Sequence, residues 1–436
     1  MLNTKTRYHI LAGVAAAGLT LGMSGPANAA GFFVQEISSS GAGASYAGQA
    51  AMPRDSSIIF HNPSGLTHLD QRQLNVAIHG LYTDSDVDDL GSTVGDTPFA
   101  SAGGPLAGFS TFTDDGGNPG GLKTIPNFYF ATPVTDDNRL WVGLGATAPF
   151  GLGVDYDDNF FGAFTAQKVE LKTIDLTPTV AYQVNDVLSL GASAIIQYGD
   201  INFQAFLPTT TTDFLRVTGD DYAYGYKLGA TLTPTDDLRV GLNYRSRLNL
   251  DFDGSQNGTP LTGGNPVDSE GTLNLPDIAN FAVAYDLNDR WTVMGGVDWY
   301  GWSETDQVTI TPTAGSALTV NFAYENTLNF NLGAEYMYSD SWTFRAGYLY
   351  DETPTTSEAR SFVNPDGDRH WFSAGATYTH SENISIDFGA TYLDVEDGNV
   401  NQLRDADGAG PSPTVNILGE ADNSAFIGSV GVNYKF

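Results

Sequence analysis

An all-β transmembrane barrel of 14 antiparallel strands is the fold class that this 436-residue sequence predicts. Three observations predict it. Apolar and polar residues alternate with period two over long stretches, which places successive side chains on opposite faces of a strand. Short polar breaks recur about every fifty residues, leaving room between them for two long strands and one longer loop. Only 16% of residues are charged, although 51 acids face 19 bases for a net charge of −32, so most of the chain is uncharged, small or aromatic.

The elements follow in order. Lys5 and Arg7 precede an apolar stretch from Ile10 to Met23, Gly25-Pro26 breaks it, and Ala27-Asn28-Ala29 forms an A-x-A site. Residues 1–29 therefore read as a cleaved secretory signal peptide, with an apolar core too short for a membrane span. No later segment offers 18 consecutive apolar residues, which excludes a helical membrane protein. Residues 30–71 do not alternate, and the barrel is expected over 72–436.

The alternation is plain at Leu238, Val240, Leu242 and Tyr244, at Trp342, Phe344, Ala346, Tyr348 and Tyr350, and at Ile384, Ile386, Phe388, Ala390 and Tyr392. It ends with Phe426, Gly428, Val430, Val432, Tyr434 and Phe436. Between these lie small or polar residues. A soluble sandwich would carry charge on its outer face; here the polar face must point inward and the apolar face must meet lipid. Tyr and Trp near strand ends suit interfacial girdles. Short turns fall at Asp136-Asp137-Asn138, Asn185-Asp186, Thr235-Asp236-Asp237, Asn288-Asp289, Ser339-Asp340-Ser341 and Ser381-Glu382-Asn383. Long loops centre near 88–120, 151–166, 207–218, 254–268, 311–318, 353–366 and 397–422. Seven long loops and six turns give 14 strands, with turns toward the periplasm. The acids concentrate in runs such as Asp84 to Asp89 and Asp155 to Asp158, expected as a solvated rim.

Composition excludes further classes. The acidic balance argues against nucleic-acid binding. Absence of cysteine removes disulfides, thiol nucleophiles and thiolate-held metals. The histidines lack ligand spacing, and Asp405-Ala406-Asp407-Gly408 and Asp366-Gly367-Asp368 are only fragments of calcium loops. No nucleophile elbow, P-loop or dinucleotide fingerprint occurs. No catalytic residue, metal or cofactor is expected.

Several stretches carry a family resemblance: Ala30-Gly31-Phe32, Ser38-Ser39-Ser40-Gly41-Ala42-Gly43, Tyr46-Ala47-Gly48 and Asn62-Pro63-Ser64 near the start. Further on come Phe150-Gly151-Leu152, Tyr244-Arg245-Ser246, Leu273-Asn274-Leu275-Pro276, Trp342 to Gly347, and Pro365 to Trp371. In this order they resemble the FadL-type outer-membrane transporters of long-chain fatty acids and other hydrophobic compounds. The resemblance implies a 14-stranded barrel plugged by an N-terminal hatch at 30–71, and passive uptake with no energy source in the barrel. Substrate would be collected between outer loops, pass to a pocket beside the N-terminus, and leave sideways at a kinked third strand. A lateral exit suits an acyl chain, which loses roughly 0.8 kcal/mol per CH₂ on re-entering water.

By this resemblance Phe32, with Phe33, lines the inner pocket, and Phe150, Gly151, Leu152 and Gly153 mark the lateral opening, where two glycines permit irregular geometry. Asn62 and Pro63, with Ser64 in place of the family's alanine, are expected to fix the hatch backbone. Phe203, Phe206, Leu207 and Phe214, beside Leu215, are candidates for an outer greasy groove. No Lys or Arg lies between Gly199 and Phe214 or between Trp291 and Ser341. Inward-facing Arg239, Arg245, Arg247 and Arg345 remain as carboxylate partners, unless they pair with interior acids such as Glu335 or Asp387. Fatty acids, alkanes and monoaromatic compounds all stay open as substrates.

Expected partners are the hydrophobic substrate, outer-membrane lipid and lipopolysaccharide, and the barrel-assembly machinery, whose recognition signal the terminal Tyr-x-Phe resembles; the chain is expected to be a monomer in the Gram-negative outer membrane. Two alternatives stand beside this reading. A general porin or small-solute channel requires an open lumen, and a lipase-like hydrolase requires a rim pair such as Ser373 with His370.

Overall fold

The computed structural model describes residues 31–206, 214–258, 265–315, 317–404 and 414–436; residues 1–29, Leu207 and the Asp405 to Gly408 run lie outside them. Its strands form one closed antiparallel barrel of 14 staves. In chain order these are β1 (Gln73–Asp89), β2 (Gly121–Pro133), β3 (Leu140–Thr147, resuming as Gly151–Asp155), β4 (Lys168–Gln183) and β5 (Leu188–Phe206). Next come β6 (Phe214–Thr235), β7 (Leu238–Arg245 and Leu248–Asn257), β8 (Val267–Leu275 and Ile278–Asn288) and β9 (Trp291–Tyr300 and Gln307–Pro312). The last are β10 (Leu318–Asn321 and Thr327–Ser339), β11 (Trp342–Asp351), β12 (Arg369–Ser381), β13 (Ile384–Arg404) and β14 (Val415–Lys435). Closure is direct: β1 pairs with β14 from Gln73↔Lys435 to Asp89↔Gly419.

The side-chain alternation sets the two faces. Phe426, Val430, Val432 and Tyr434 of β14 point out and stay exposed, while Ile427, Ser429 and Asn433 point in and are buried. The apolar outer wall carries Trp291, Tyr336, Tyr338, Trp342, Phe344 and Tyr378 in ring contact near the short turns. Aromatic rings at that level match an interfacial girdle.

Two expectations need correction. The Asp84–Asp89 run is strand, not loop: Asp84, Asp86 and Asp88 point outward from the end of β1 while Thr83, Ser85 and Val87 point in. The barrel wall therefore continues above its apolar band. The predicted loops are also too long at 254–268, 311–318 and 397–422, where β7 reaches Asn257, β9 reaches Pro312 and β13 reaches Arg404.

The N-terminal segment fills the inside of the barrel. It contains single-turn helices at Ser39–Ala42 and Ile58–His61 and tighter turns at Gln49–Ala51 and Pro63–His68, nearly all buried. The wall admits this backbone through inward glycines: a Cβ at Gly241 would lie 2.0 Å from the Ala50 carbonyl oxygen, and one at Gly347 2.0 Å from that of Ala44. Interior charges tie segment to wall, with Arg54 on Glu335 at 2.8 Å and Arg345 on Glu335 and Asp387 at 3.2 and 3.3 Å. A wide aqueous lumen, which a general porin requires, is thus filled.

Candidate functional site

The third stave breaks where the N-terminal segment meets it. Between its two halves stands Ala148-Pro149-Phe150, and Pro149 has no N–H to give to a ladder. The freed groups bond inward instead: Val34 N–H donates to the Pro149 carbonyl (2.8 Å) and Gly151 N–H to the Phe32 carbonyl (2.9 Å), around a Phe33–Phe150 bridge. The irregularity therefore lies at 148–150. Gly151 and Gly153, predicted as the irregular positions, sit in a regular ladder with β4.

Around this bridge the rings converge. Phe32 touches Trp302, Tyr324, Phe150 and Phe322 at centroid distances of 4.9, 6.2, 6.3 and 6.3 Å. Phe33 touches Tyr300, Phe150 and Phe60 at 5.2, 5.5 and 6.2 Å. Gly31 has φ +59°, and a Cβ there would stand 2.7 Å from Trp302. Its N–H donates to Asp366 Oδ2 (2.9 Å) and its carbonyl accepts from Asn364 (2.9 Å), while Arg369 holds the other Asp366 oxygen. The Asp366-Gly367-Asp368 run is thus used for packing the N-terminal segment.

Beneath the rings lies a buried basic site. Lys227 places its ammonium 3.8 Å over the Phe60 ring and donates to the Phe60 carbonyl at 3.2 Å. Arg245 pairs with Asp175 at 2.6 Å and lies 5.5 Å from the Phe150 ring, yet its Nε and Nη2 find no acceptor. Two basic side chains are thus buried beside one acid, Asp175, which Arg245 holds. His61, beside them, is held neutral: burial first, then Lys227 and Arg54, lower its pKa to about 3. Phe33, Phe60, His61, Arg245, Asp298 and Tyr300 leave a cavity of about 20 Å³. That holds a water rather than an alkyl chain, so the aromatic segment fills the space a ligand would take.

The stave break also opens a window in the wall. β2 and β3 pair only from Phe128↔Ala146 to Pro133↔Trp141. Above that, Gly121 to Asn127 pairs with β1 alone and Gly151 to Asp155 with β4 alone, until Asp155 N–H reaches the Pro119 carbonyl at 3.1 Å. Pro126 on the free edge of β2 offers no N–H to a passing chain. Val34 to Glu36 stands directly behind, with the Glu36 carbonyl accepting from Asn127 at 2.7 Å. The Glu36 carboxyl is buried with Oε2 unpartnered.

An apolar cluster occupies the outer end. Phe164 meets Phe112, Phe109 and Phe99 at 4.7, 5.4 and 5.9 Å, and Phe206 meets Phe112 at 5.1 Å. Phe203 is buried farther in, lining a small cavity with Val217, Phe252, Val308 and Ile310. Of the predicted groove residues, then, Phe206 joins this cluster, Phe203 faces the lumen, and Phe214 is placed by its backbone opposite Phe206. Phe99, Phe109, Phe112 and Phe164 escaped sequence reasoning because they stand on loops without periodicity.

The other predicted residues divide. Asn62 accepts from Ser64 N–H (3.1 Å) and Ser64 Oγ (2.6 Å) and donates to the Ala50 carbonyl (2.7 Å), the Ala230 carbonyl (3.1 Å) and Thr231 Oγ1 (3.1 Å), so Asn62-Pro63-Ser64 pins backbone to wall. Arg239 pairs with Asp286 at 2.9 Å near the short turns, and Arg345 is spent on Glu335 and Asp387. Arg247 does not face inward: the break at 246–247 shifts the alternation, leaving it half-exposed and paired with Glu304 at 2.6 Å. Only Arg245 keeps free donors beside the rings; Lys227, readable as the lone cation on the inner face of β6, was missed. Ser373 and His370 point to opposite faces, as residues three apart on a strand must. Ser373 bonds Ser45 and Thr391 while His370 bonds Tyr348, so the hydrolase pair does not form.

Residues 20–436 match the family model described as outer membrane protein transport protein (OMPP1/FadL/TodX). The chain is 26% identical over 450 residues to the long-chain fatty acid transport protein of Escherichia coli O6:H1, covering 93% of this chain and 94% of that one. It is 27% identical over 451 residues to outer membrane protein P1 of Haemophilus influenzae, covering 95% and 96%. Among solved structures, a Pseudomonas aeruginosa FadL homologue superposes with TM-score 0.83 at 24% identity, covering 93% of this chain and 99% of that chain.

Proposed function

This chain belongs to the outer membrane protein transport (OMPP1/FadL/TodX) family of transporters for hydrophobic substrates, and from that premise we propose that it imports long-chain carboxylic acids through an N-terminal gate and a lateral exit. The observation that carries the choice of acid over hydrocarbon is the buried pair Lys227 and Arg245, two cations against the single carboxylate of Asp175. A buried charge left without a full complement is costly. It is worth keeping where an anion arrives to complete it. The relatives named as fatty acid transporters agree with that chemistry.

In this reading, substrate is collected on the Phe112–Phe164–Phe206 cluster and moves inward along the apolar lining. It displaces Phe32 and Phe33 and sets its carboxylate against Lys227 and Arg245. Undocking of the segment from Pro149 and Gly151 clears the window between β2 and β3, and the chain leaves sideways into lipid without crossing water. The N-terminal segment is the hatch.

Lys227→Met tests the assignment, because it keeps the aliphatic stem and spares the Arg245–Asp175 pair. One lost charge-assisted contact is worth about 1.5–3 kcal/mol, so uptake of a labelled long-chain acid should fall by roughly tenfold or more. Uptake of a long-chain alkane or toluene should not change. Transport of hydrocarbons by the wild type without transport of the acid would overturn the reading.

A further inference from the structure

A row of amides crosses the inner wall beside the basic pair. Asn243, Asn280 and Asp298 stand directly opposite one another on β7, β8 and β9, and Asn331 joins them from β10. Asn243 Nδ2 donates to Asn280 Oδ1 (2.7 Å), Asn280 Nδ2 to Asp298 Oδ1 (2.7 Å), and Asn331 Nδ2 to Asp298 Oδ2 (3.1 Å). At the far end Asn331 Oδ1 accepts from the Gly48 N–H of the N-terminal segment at 3.1 Å. The direction of every bond is forced, because a backbone N–H only donates and a carboxylate only accepts. Asn331 must turn its oxygen to Gly48, and Asn280 must turn its nitrogen to Asp298. Asn243 is then left with its oxygen as the free end of the row.

That free end borders the cavity under the rings. Asn243 is 7% exposed, and its Oδ1 has no partner among the described residues. It lines the same cavity as Arg245, whose Nε and Nη2 are also unpartnered. The other polar wall residues there, Asn280, Asp298, Tyr300 and Asn331, are all hydrogen-bonded. Tyr46 Oη and His61 Nε2 border the cavity from the N-terminal segment and bond to neither side chain. The wall thus offers a ligand the donors of Arg245 and one acceptor whose orientation the row holds fixed. Asn243 and Arg245 are two residues apart on one face, so their Cα atoms stand about 7 Å apart. A short polar head group with a hydrogen bond at each end spans that gap.

We propose that this pocket selects long-chain acids hydroxylated at the third carbon: the carboxylate meets Lys227 and Arg245, and the hydroxyl donates to Asn243 Oδ1. This rests on the carboxylate reading above and narrows its substrate class. Phe33 lines the same cavity, so its displacement admits the first carbons of the ligand. An unsubstituted carboxylate brings acceptors only and leaves the Asn243 oxygen buried and unpaired. Carrying its proton instead costs the acid more at neutral pH than one hydrogen bond returns. A site built to bond a hydroxyl discriminates against the analogue that lacks it, because its own polar group is then stranded. A hydroxyl at mid-chain would lie among the rings and gain nothing from Asn243.

Displacement of a fluorescent long-chain acid from the purified protein in detergent tests this. 3-Hydroxyhexadecanoic acid should bind about fivefold more tightly than hexadecanoic acid, the factor for one net hydrogen bond. An isomer hydroxylated at mid-chain should bind no better than hexadecanoic acid. Asn243→Leu, close in size but without the acceptor, should bring the ratio of the first two to one. Equal binding of those two by the wild type would overturn the proposal, and this comparison decides alone where the variant does not fold. A preference that persists in an Asn243→Leu barrel with heat-modifiable migration would overturn it too. An equal gain for the mid-chain isomer would assign the effect to polarity in general and likewise overturn it. A wild type that binds hexadecane but neither acid would overturn the carboxylate reading itself; equal binding of both acids leaves that reading standing and removes only the hydroxyl.

Discussion

Phe32→Ala measures how firmly the gate is shut. The ring is 1% exposed and touches four aromatic partners. Truncating a buried Phe costs about 3–5 kcal/mol. The rest of the docking between Gly31 and Val34 is four hydrogen bonds, to Asp366, Asn364, Pro149 and Gly151. At a net ~1 kcal/mol each, they amount to about as much as the ring alone. The substitution should thus raise the undocked population by roughly 10²–10⁴-fold. Hydrogen exchange reads this directly, because the amide of Gly151 is closed only by the Phe32 carbonyl and that of Val34 only by Pro149. Both should lose protection by that factor, while amides of the β1–β14 ladder keep theirs and the barrel still shows heat-modifiable migration. Equal protection at Gly151 in wild type and variant would refute the idea that the Phe32 ring holds the segment down.

Two further outcomes follow from the same segment. Burial, more than any neighbouring charge, pushes the Glu36 carboxyl up from 4.5 to about 7, opposed by a backbone hydrogen bond and by Arg369. Between those values the seated segment binds more protons than the free one, so seating weakens as pH rises through that window, by roughly 3 kcal/mol in all, and is level outside it. Glu36→Gln should flatten the pH dependence of Val34 amide exchange between pH 4.5 and 7; an unchanged slope would remove Glu36 from the account. Gly347→Val drives a side chain into the Ala44 carbonyl, 2.0 Å from its Cβ position. The hatch should be displaced while the outer ladder persists, seen as steady single-channel current absent from the wild type; a silent variant would show that the hatch shifts to accommodate it.

The wall was legible because lipid imposes a strict rule on it. Outward positions such as Leu242, Phe388 and Val432 must be apolar at every second residue, so one chain displays strand, face and membrane at once. The hatch obeys no period. Ser38, Asn62 and Asp55 fold it by individual bonds, which leave no repeating trace. It was expected from the family resemblance of residues 30–64, and the structure adds the inward glycines Gly241, Gly347 and Gly375 that give its backbone room. The kink was expected at 150–153 because glycine suggests irregularity; the break runs over 148–150, sharing Phe150, where Pro149 has no N–H to give. Arg247 was misassigned because a two-residue break inverts the alternation, and no composition signal marks such a break. The site itself joins residues from 31 to 369, so its partnership could not be read from spacing.

The cations explain what the acidic surplus could not. A carboxylate approaching 51 acids gains nothing from long-range attraction, and at physiological salt such fields fade within about 8 Å. First capture must then be hydrophobic, which is what the Phe112 cluster offers. Most inner cations are already neutralised: Arg54 and Arg345 by Glu335, Arg369 by Asp366, Arg239 by Asp286. Arg245, with Nε and Nη2 still unpartnered, and Lys227, seated on the Phe60 ring and carbonyl, are the basic groups that border the ring cluster. In the proposed route this basic pocket receives the charged head group, while the acyl tail meets the apolar Phe112 cluster and the ring lining. A neutral hydrocarbon would need the apolar surface alone, and a barrel evolved only for such a substrate would have no physical reason to bury two cations against one acid.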